Sequence, residues 1–360
     1  MSIKGNKGEW SEIYTLFKLL GEGLVYAGDA QMNKMDLFYP IVNIIRNESL
    51  KHEYFPNKSR NIVIIKENGD EVVKIPMMDF LRESQNLLKT IKNSHDGPFE
   101  AIQTETFMQR AKCDKLKAPS KDKADIHIVL HDSRTEMDSL LGFSIKSQLG
   151  SPSTLLNSSI ATNFTYNIVG ARLSDSQIDE INMVQGHLPR MQAILDAGCK
   201  LQFCGIEHPT FNNNLLFLDS AMPLFLAECL KYANMPDNSL LISDVVHHIA
   251  TCNPLNYPGQ NVDSFYQHKM KVLLLDAALG MTPSKEWNGY YDANGGYLVV
   301  RQDGEIVCYH FYNRNQVEDY LFYNTRFDRP SRSRHNYGTI YKANDGTPQI
   351  KLNIQIRFTK

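Results

Sequence analysis

The sequence predicts an α/β fold, in which a mixed β-sheet core is flanked by helices and supplemented by further helical and β elements. Three observations carry this. Apolar residues recur at helical spacing near the start of the chain, two runs with strand-like alternation lie at 125–131 and 140–148, and hairpin turns are signalled at Asn68-Gly69 and Asp303-Gly304.

Taken in order, Trp10, Ile13, Tyr14, Phe17 and Leu20 share one helical face, and Gly21 and Gly23 end that helix. Residues 61–76 read as a β-hairpin, NIVII and EVVKI around Asn68-Gly69. Helical patterns follow near 77–93 and 99–112. The polar, lysine-rich CDKLKAPSKDKAD (113–125) marks a boundary. Strands are expected over 125–131, 140–148 and 163–169, a helix over 175–197 and a strand over 200–206. Residues 214–280 have a mostly helical pattern, with loops around 253–258. The chain then turns β again: 297–300 and 305–312 flank Asp303-Gly304, while 340–342 and 350–358 flank 344–346. This order divides the chain into an N-terminal helical and hairpin region (1–114), a central core (115–212) and a helical-plus-β C-terminal region (213–360).

With 360 residues, 42% hydrophobic and 22% charged, the composition is that of a globular protein with ample core. Thirty-eight basic against 40 acidic residues leave a net charge of −2, which excludes a histone-like binder but not a local basic site. None of the six cysteines forms a C-x-x-C pair, so reduced thiols are expected rather than a disulfide framework or a cysteine zinc site. The start, MSIKGNKGEW, lacks a signal-peptide apolar region. The most apolar stretch, 214–231, is interrupted by Asp219 and Glu228 and falls short of a membrane span. A soluble, cytoplasmic protein is expected.

The informative stretch is 125–150. Side chains alternate faces along a strand, so Ile126, Ile128 and Leu130 oppose Asp125, His127, Val129 and His131. Likewise Leu141, Phe143 and Ile145 oppose Gly142, Ser144, Lys146 and Gln148. If the two strands pair, Asp125, Ser144, Lys146 and Gln148 converge on one polar patch. A carboxylate beside a lysine can hold a divalent ion and stabilise charge developing on a phosphate. Hard oxygen ligands favour Mg²⁺. The same alternation also arises in any antiparallel sheet with one wet face.

The spacing resembles the PD-(D/E)xK nuclease signature, an Asp at a strand start followed by acid-x-Lys on the next strand. Here Ser144 stands at the acid position, which leaves metal coordination one carboxylate short. The blocks GNKGEWSEIYTLFKLL (5–20), KLKAPSKDKADI (115–126), GFSIKSQLGSPSTLLNSS (142–159), ATNFTY (161–166) and FDRPSRSRHNYG (327–338) resemble, in order, the HpaII family of type II restriction endonucleases. That resemblance covers essentially the whole chain. It implies a restriction-endonuclease-like fold and Mg²⁺-dependent double-strand cutting of DNA at CCGG, blocked by methylation of that site. It also implies 5′-phosphate and 3′-hydroxyl products, a possible homodimer, a cognate DNA methyltransferase as cellular companion and a bacterial cytoplasmic setting.

Within it, Asp125 is the expected metal ligand and Lys146 the charge stabiliser, with Ser144 and Gln148 beside them. Glu9 and Glu12, at i and i+3 on the first helix, could complete the metal site or simply make a favourable acidic first turn. For DNA, arginines suit bidentate reading of guanine. Arg326, Arg329, Arg332, Arg334 and His335 form one candidate group. Ser151, Ser153, Thr154, Asn157, Thr162 and Asn163 form another, with turn and cap chemistry as the alternative. Lys115, Lys117, Lys121 and Lys123 could track a backbone or form a solvated face. His247 and His248 point about 100° apart on a helix and read as structural. Cys199, Cys204 and His208 read as strand and core residues rather than a zinc site.

Overall fold

The computed structural model describes residues 2–48, 50–95, 97–117, 124–291 and 294–360. Two compact units emerge. One comprises residues 1–153 and 292–320 with Lys360; the other comprises 154–291 and 321–359.

The first unit is organised around helix α1 (Lys7–Glu22). Asn6 and Glu9 form its capping box: the Asn6 Oδ1 accepts from the Glu9 amide (3.0 Å) and Glu9 Oε2 accepts from the Asn6 amide (2.9 Å). Gly23 ends the helix in the left-handed region (φ 64°), which a side chain would disfavour. The expected apolar face is wholly buried, with Phe17 packed edge-on against Phe80 and Phe107 from helices α2 (Met77–Asn93) and α3 (Ile102–Arg110).

Around it runs a nine-stranded mixed sheet: β1 (Leu24–Gly28), β2 (Lys34–Asn47), β3 (Lys51–Asn57), β4 (Ile62–Glu67), β5 (Asp70–Pro76), β6 (Ile126–Asp132), β7 (Met137–Ser147), β8 (Gly296–Val300) and β9 (Ile306–His310). The order is β1-β9-β8-β7-β6-β2-β3-β4-β5, and an extra β1–β2 pairing closes six of the strands into a ring. The β7–β8 and β1–β9 pairs are parallel, and the others antiparallel. The β4–β5 hairpin turns at Asn68 (φ 50°) and Gly69 (φ 99°), the positive-φ pair that matches strand twist. All five residues of β8 are buried, as expected of an interior strand covered on both faces. Strands β1 to β3 are not evident in the sequence pattern. Pro40, which argues against a strand, sits inside β2, where it lies opposite Leu24.

The second unit holds an antiparallel four-stranded sheet in the order Cys199–Ile206, Asn163–Gly170, Pro348–Asn353, Ile340–Lys342. A three-stranded sheet joins Thr154–Leu156, Ile356–Phe358 and Thr325–Phe327. Helices Pro209–Leu218, Met222–Ala233, Ile242–Cys252 and Val262–Leu279 fill the region expected to be helical. Two expectations need correction. The single helix expected over 175–197 is two, Asp175–Met183 and His187–Asp196, broken at Gly186 (φ 89°). Buried Arg190 reaches back to accept that break, donating to the Asn182 (2.6 Å) and Val184 (3.1 Å) carbonyls. The strand expected over 350–358 is also divided, because the Ile354 amide turns to the Thr162 carbonyl (3.1 Å) and sends the two halves to different sheets.

Candidate active site and nucleic-acid interface

Strands β6 and β7 pair in register Ile126↔Phe143 and His127↔Gly142, and Asp125 stands just before the first of these pairs. The Asp125 amide donates to the Phe143 carbonyl (2.9 Å). One residue further, the ladder is continued by a side chain: Asp125 Oδ2 accepts from the Ile145 amide (2.7 Å). Ile126, Ile128, Leu130, Leu141 and Phe143 face the core with α1, so Ser144 and Lys146 lie on the opposite face of β7, and the Lys146 charge acts on the nearby Asp125 carboxylate. Burial raises the Asp125 pKa above the usual carboxylate value, against the pull of the Ile145 amide and Lys146. Burial lowers the Lys146 pKa, opposed by the Asp125 charge. The two groups are thus electrostatic partners in a desolvated patch.

Parallel β8 supplies a neighbour that the sequence did not signal. Tyr297 lies in register with Ser144, and Lys146 Nζ stands 5.2 Å from its ring centroid. Tyr297 is buried, and burial together with the Asp125 charge raises its phenol pKa.

The other expected members are placed differently. Gln148, at the strand end, holds the following turn. Its Oε1 accepts from the Gln302 amide (3.3 Å), and its Nε2 meets Met32 Sδ (3.5 Å). Helix α1 packs on the other face of β7, where Ser11 and Ser147 hydroxyls meet at 2.8 Å. Both Glu9 oxygens are engaged, Oε2 in the cap and Oε1 by Lys117 Nζ (2.7 Å), and that ion pair lowers the Glu9 pKa. Glu12 is half-buried one turn on. Among the described residues, no three His, Cys, Asp or Glu side chains gather as a metal-holding group.

The segment approaching Asp125 is pinned by a buried ion pair that the sequence pattern did not reveal. Arg46 Nε bonds Glu48 Oε1 (2.8 Å), and Arg46 Nη2 donates to the Lys115 carbonyl (2.7 Å). Glu48 Oε2 accepts from the Asp114 amide (2.7 Å), and Tyr54 donates to the Lys112 carbonyl (3.0 Å). Lys121 and Lys123 lie outside the described residues. Ser151 and Ser153 line a cavity of about 370 Å³ with Asn6, Lys7, Gly8 and Ser147, at the N-terminus of α1.

In the second unit, Arg326 lies within strand Thr325–Phe327, and the loop after that strand ends in one helical turn, Arg332–His335. The loop is well anchored. Arg329 donates to the Ala233 carbonyl (2.6 Å), Tyr337 to the Pro330 carbonyl (2.6 Å), and His335 Nε2 meets the Ser158 hydroxyl (3.1 Å). Asp328 pairs with Arg326 (3.6 Å) and Arg357 (2.6 Å). Arg334 is exposed, and Arg326 and Arg332 are half-buried. His187 lies among Arg190, Arg329 and Arg332; burial and those charges take its pKa down to about 4, although Asn234 accepts from its Nε2 (2.7 Å).

Two of the polar candidates need correction. Asn163 is fully buried: it donates to Glu207 (2.9 Å) and to the His335 carbonyl (3.0 Å) and accepts from Asn353 (2.7 Å). Thr162 is likewise buried against Ser159 and Asn353. Both brace the unit and present nothing to a ligand. Asn157 is exposed, and Thr154 is half-buried opposite Arg357. His247 pairs with Asp263 (3.4 Å), while His248 stacks on Tyr232 (4.0 Å), so the adjacent histidines diverge. Cys199 is buried, donating to the Ala171 carbonyl (3.4 Å).

Asp125, immediately before one strand, is hydrogen-bonded to the middle residue of the Ser144-Ile145-Lys146 triplet on its antiparallel partner within a mixed sheet. The model of the HpaII restriction endonuclease family matches residues 6–358. The chain is also 46% identical to the type II restriction enzyme HpaII of Haemophilus parainfluenzae, over 99% of both chains. The chain belongs to the HpaII restriction endonuclease family. No solved structure matches it, and no helix among the described residues is long and apolar enough to cross a membrane.

Proposed function

We propose that this type II restriction endonuclease cuts duplex DNA at CCGG, with Asp125 and Lys146 at the scissile phosphate and Mg²⁺ as cofactor. The observation that carries the site is the Asp125–Ile145 hydrogen bond, which holds a desolvated carboxylate beside the Lys146 ammonium.

The donors suit the metal. Asp125 and the Ser144 hydroxyl offer hard oxygens, and Asp125 would hold a Mg²⁺ ion, which accepts carboxylate ligands readily. The ion would supply Lewis-acid polarisation of the phosphoryl oxygen and make nearby water more acidic. Both oxygens of Glu9 are engaged, and helix α1, which carries Glu9 and Glu12, packs on the face of β7 away from Lys146, so Asp125 is the carboxylate assigned to the ion.

Water attacks phosphorus in line, forming the new O–P bond as the P–O3′ bond breaks. The 3′ oxygen leaves and takes a proton, giving a 5′-phosphate and a 3′-hydroxyl. Lys146 stabilises the negative charge that builds on the non-bridging oxygens, an effect strengthened by its dry surroundings. Gln148 supports the strand end through the Gln302 turn.

Arg326, Arg332 and Arg334 are the base- and phosphate-contacting cations, with Arg329 and His335 shaping their loop. Ser151, Thr154 and Asn157 add phosphate contacts. A palindromic target cut on both strands is matched by a two-fold dimer on DNA, and a methyltransferase of the same specificity protects the host.

A second reading rests on Ser144 at the acid position and the lack of a metal-holding cluster among the described residues: a DNA-binding protein that no longer cuts. Digestion of an unmethylated plasmid with Mg²⁺, an EDTA control and sequenced fragment ends decides between them. Cuts at CCGG establish the proposal. Discrete cuts elsewhere retain the nuclease and discard the target. Salt-sensitive binding without cutting establishes the second reading.

A further inference from the structure

The acid that normally accompanies the catalytic lysine in this motif is a serine here, so Asp125 is left as the carboxylate beside Lys146 on the β6–β7 face. The neighbouring strand brings an aromatic ring to the same place. Tyr297 is paired with Ser144 across the parallel β7–β8 ladder, and Val299 with Lys146. Paired residues share a face, so the ring and the ammonium project on the same side. The Lys146 Nζ is 5.2 Å from the ring centroid, inside the range in which a ring quadrupole attracts a cation. The ring is itself held: Phe311 meets it edge-on at 6.1 Å, and Tyr320 lies 6.4 Å away, stacked in turn on Tyr309 at 4.0 Å.

We propose that Tyr297 is a positioning residue for catalysis, whose ring fixes the Lys146 ammonium over the Asp125–Ser144 face where the missing acid would otherwise attract it. A ring adds negative potential without binding metal or needing a counter-proton, and in a desolvated patch that attraction is stronger than in water. The part it serves is the Lys146 role proposed above, on which this inference rests.

The test uses the full-length protein, a plasmid that the wild type cuts, and Mg²⁺. Single-turnover rates and half-saturating enzyme concentrations are measured for Tyr297→Leu, Tyr297→Phe, Lys146→Ala and the Leu/Ala double variant. The expected result is a rate loss of about tenfold or more for Tyr297→Leu, with half-saturation little changed, and rescue to within about threefold by Tyr297→Phe, which keeps the ring. On the Lys146→Ala background, Tyr297→Leu should cost less than about twofold, because the partner it positions is gone. An unchanged rate for Tyr297→Leu, or an equal loss on both backgrounds, overturns the inference and leaves Tyr297 a core residue. Full cutting by Lys146→Ala instead overturns the Lys146 reading, which separates the two failures. If Tyr297→Leu does not fold, a trifluorinated phenylalanine at position 297 keeps the shape and removes the π charge. A rate loss like that expected for leucine supports the inference, and a phenylalanine-like rate overturns it.

Discussion

The Asp125 carboxylate accepts a hydrogen bond from the Ile145 amide at 2.7 Å, midway between Ser144 and Lys146 on the partner strand. One backbone ladder position is thereby filled by a side chain. The bond fixes where the carboxylate stands relative to Lys146, and its partial burial raises the Asp125 pKa.

Replacing that charge trades function for stability. Between the unfolded value near 3.8 and its raised folded value, Asp125 holds its proton more firmly in the folded protein, so its ionisation costs stability as pH rises through that window. Asp125→Asn should abolish cutting and add about 0.5–2 kcal/mol near neutral pH. The gain should vanish below the unfolded value, which melting curves at acid and neutral pH will check.

Lys146→Ala should slow single-turnover cutting by about a hundredfold to a thousandfold, the cost of losing one electrostatic stabiliser in a dry site. DNA binding, read by gel shift, should persist. Cutting at the wild-type rate would remove Lys146 from the chemistry.

The Arg46–Glu48 pair, with side chains 6% and 2% exposed, holds residues 112–115 ahead of Asp125. Glu48→Ala strands a buried guanidinium and should destabilise the protein by about 3–5 kcal/mol in chemical denaturation. A surface-like change under about 1 kcal/mol would show that the pair is not buried in solution.

The arginines of the 326–335 loop should separate into two kinds. Arg334→Ala, at an exposed position, should leave stability intact and reduce the salt dependence of DNA binding by about one phosphate contact. Arg329→Ala removes the bond to the Ala233 carbonyl and should lower the melting temperature as well.

His187 makes the second unit acid-sensitive. Its folded pKa near 4 lies below the unfolded 6.5, so the unfolded chain binds the extra proton. Stability should fall as pH drops from about 6.5 toward 4, and His187→Gln should flatten that fall. Denaturant midpoints at a series of pH values measure it.

Much of the chemistry was legible along the chain because it depends on local periodicity. Strand alternation put Ser144 and Lys146 on one face before any partner was known, and the β7–β8 register sets Tyr297 and Val299 beside them. Asn68-Gly69 and the Gly23 stop signal need only φ preferences, and both stand where expected. Polar type alone, however, marked Asn163 and Asn157 alike. Only folding buries the first among Glu207, His335 and Asn353 and leaves the second exposed.

By itself, then, the sequence determined the family, the mixed α/β class and the strand faces that carry the candidate chemistry, since each rests on residue order and periodicity. The tertiary structure decided which distant groups meet them. Tyr297 reaches Lys146 across a parallel pairing between strands some 150 residues apart, and Lys117 meets Glu9 across more than a hundred residues of sequence. No local pattern encodes those encounters, because they are fixed by long-range strand pairing and by the competition among partners for each buried charge.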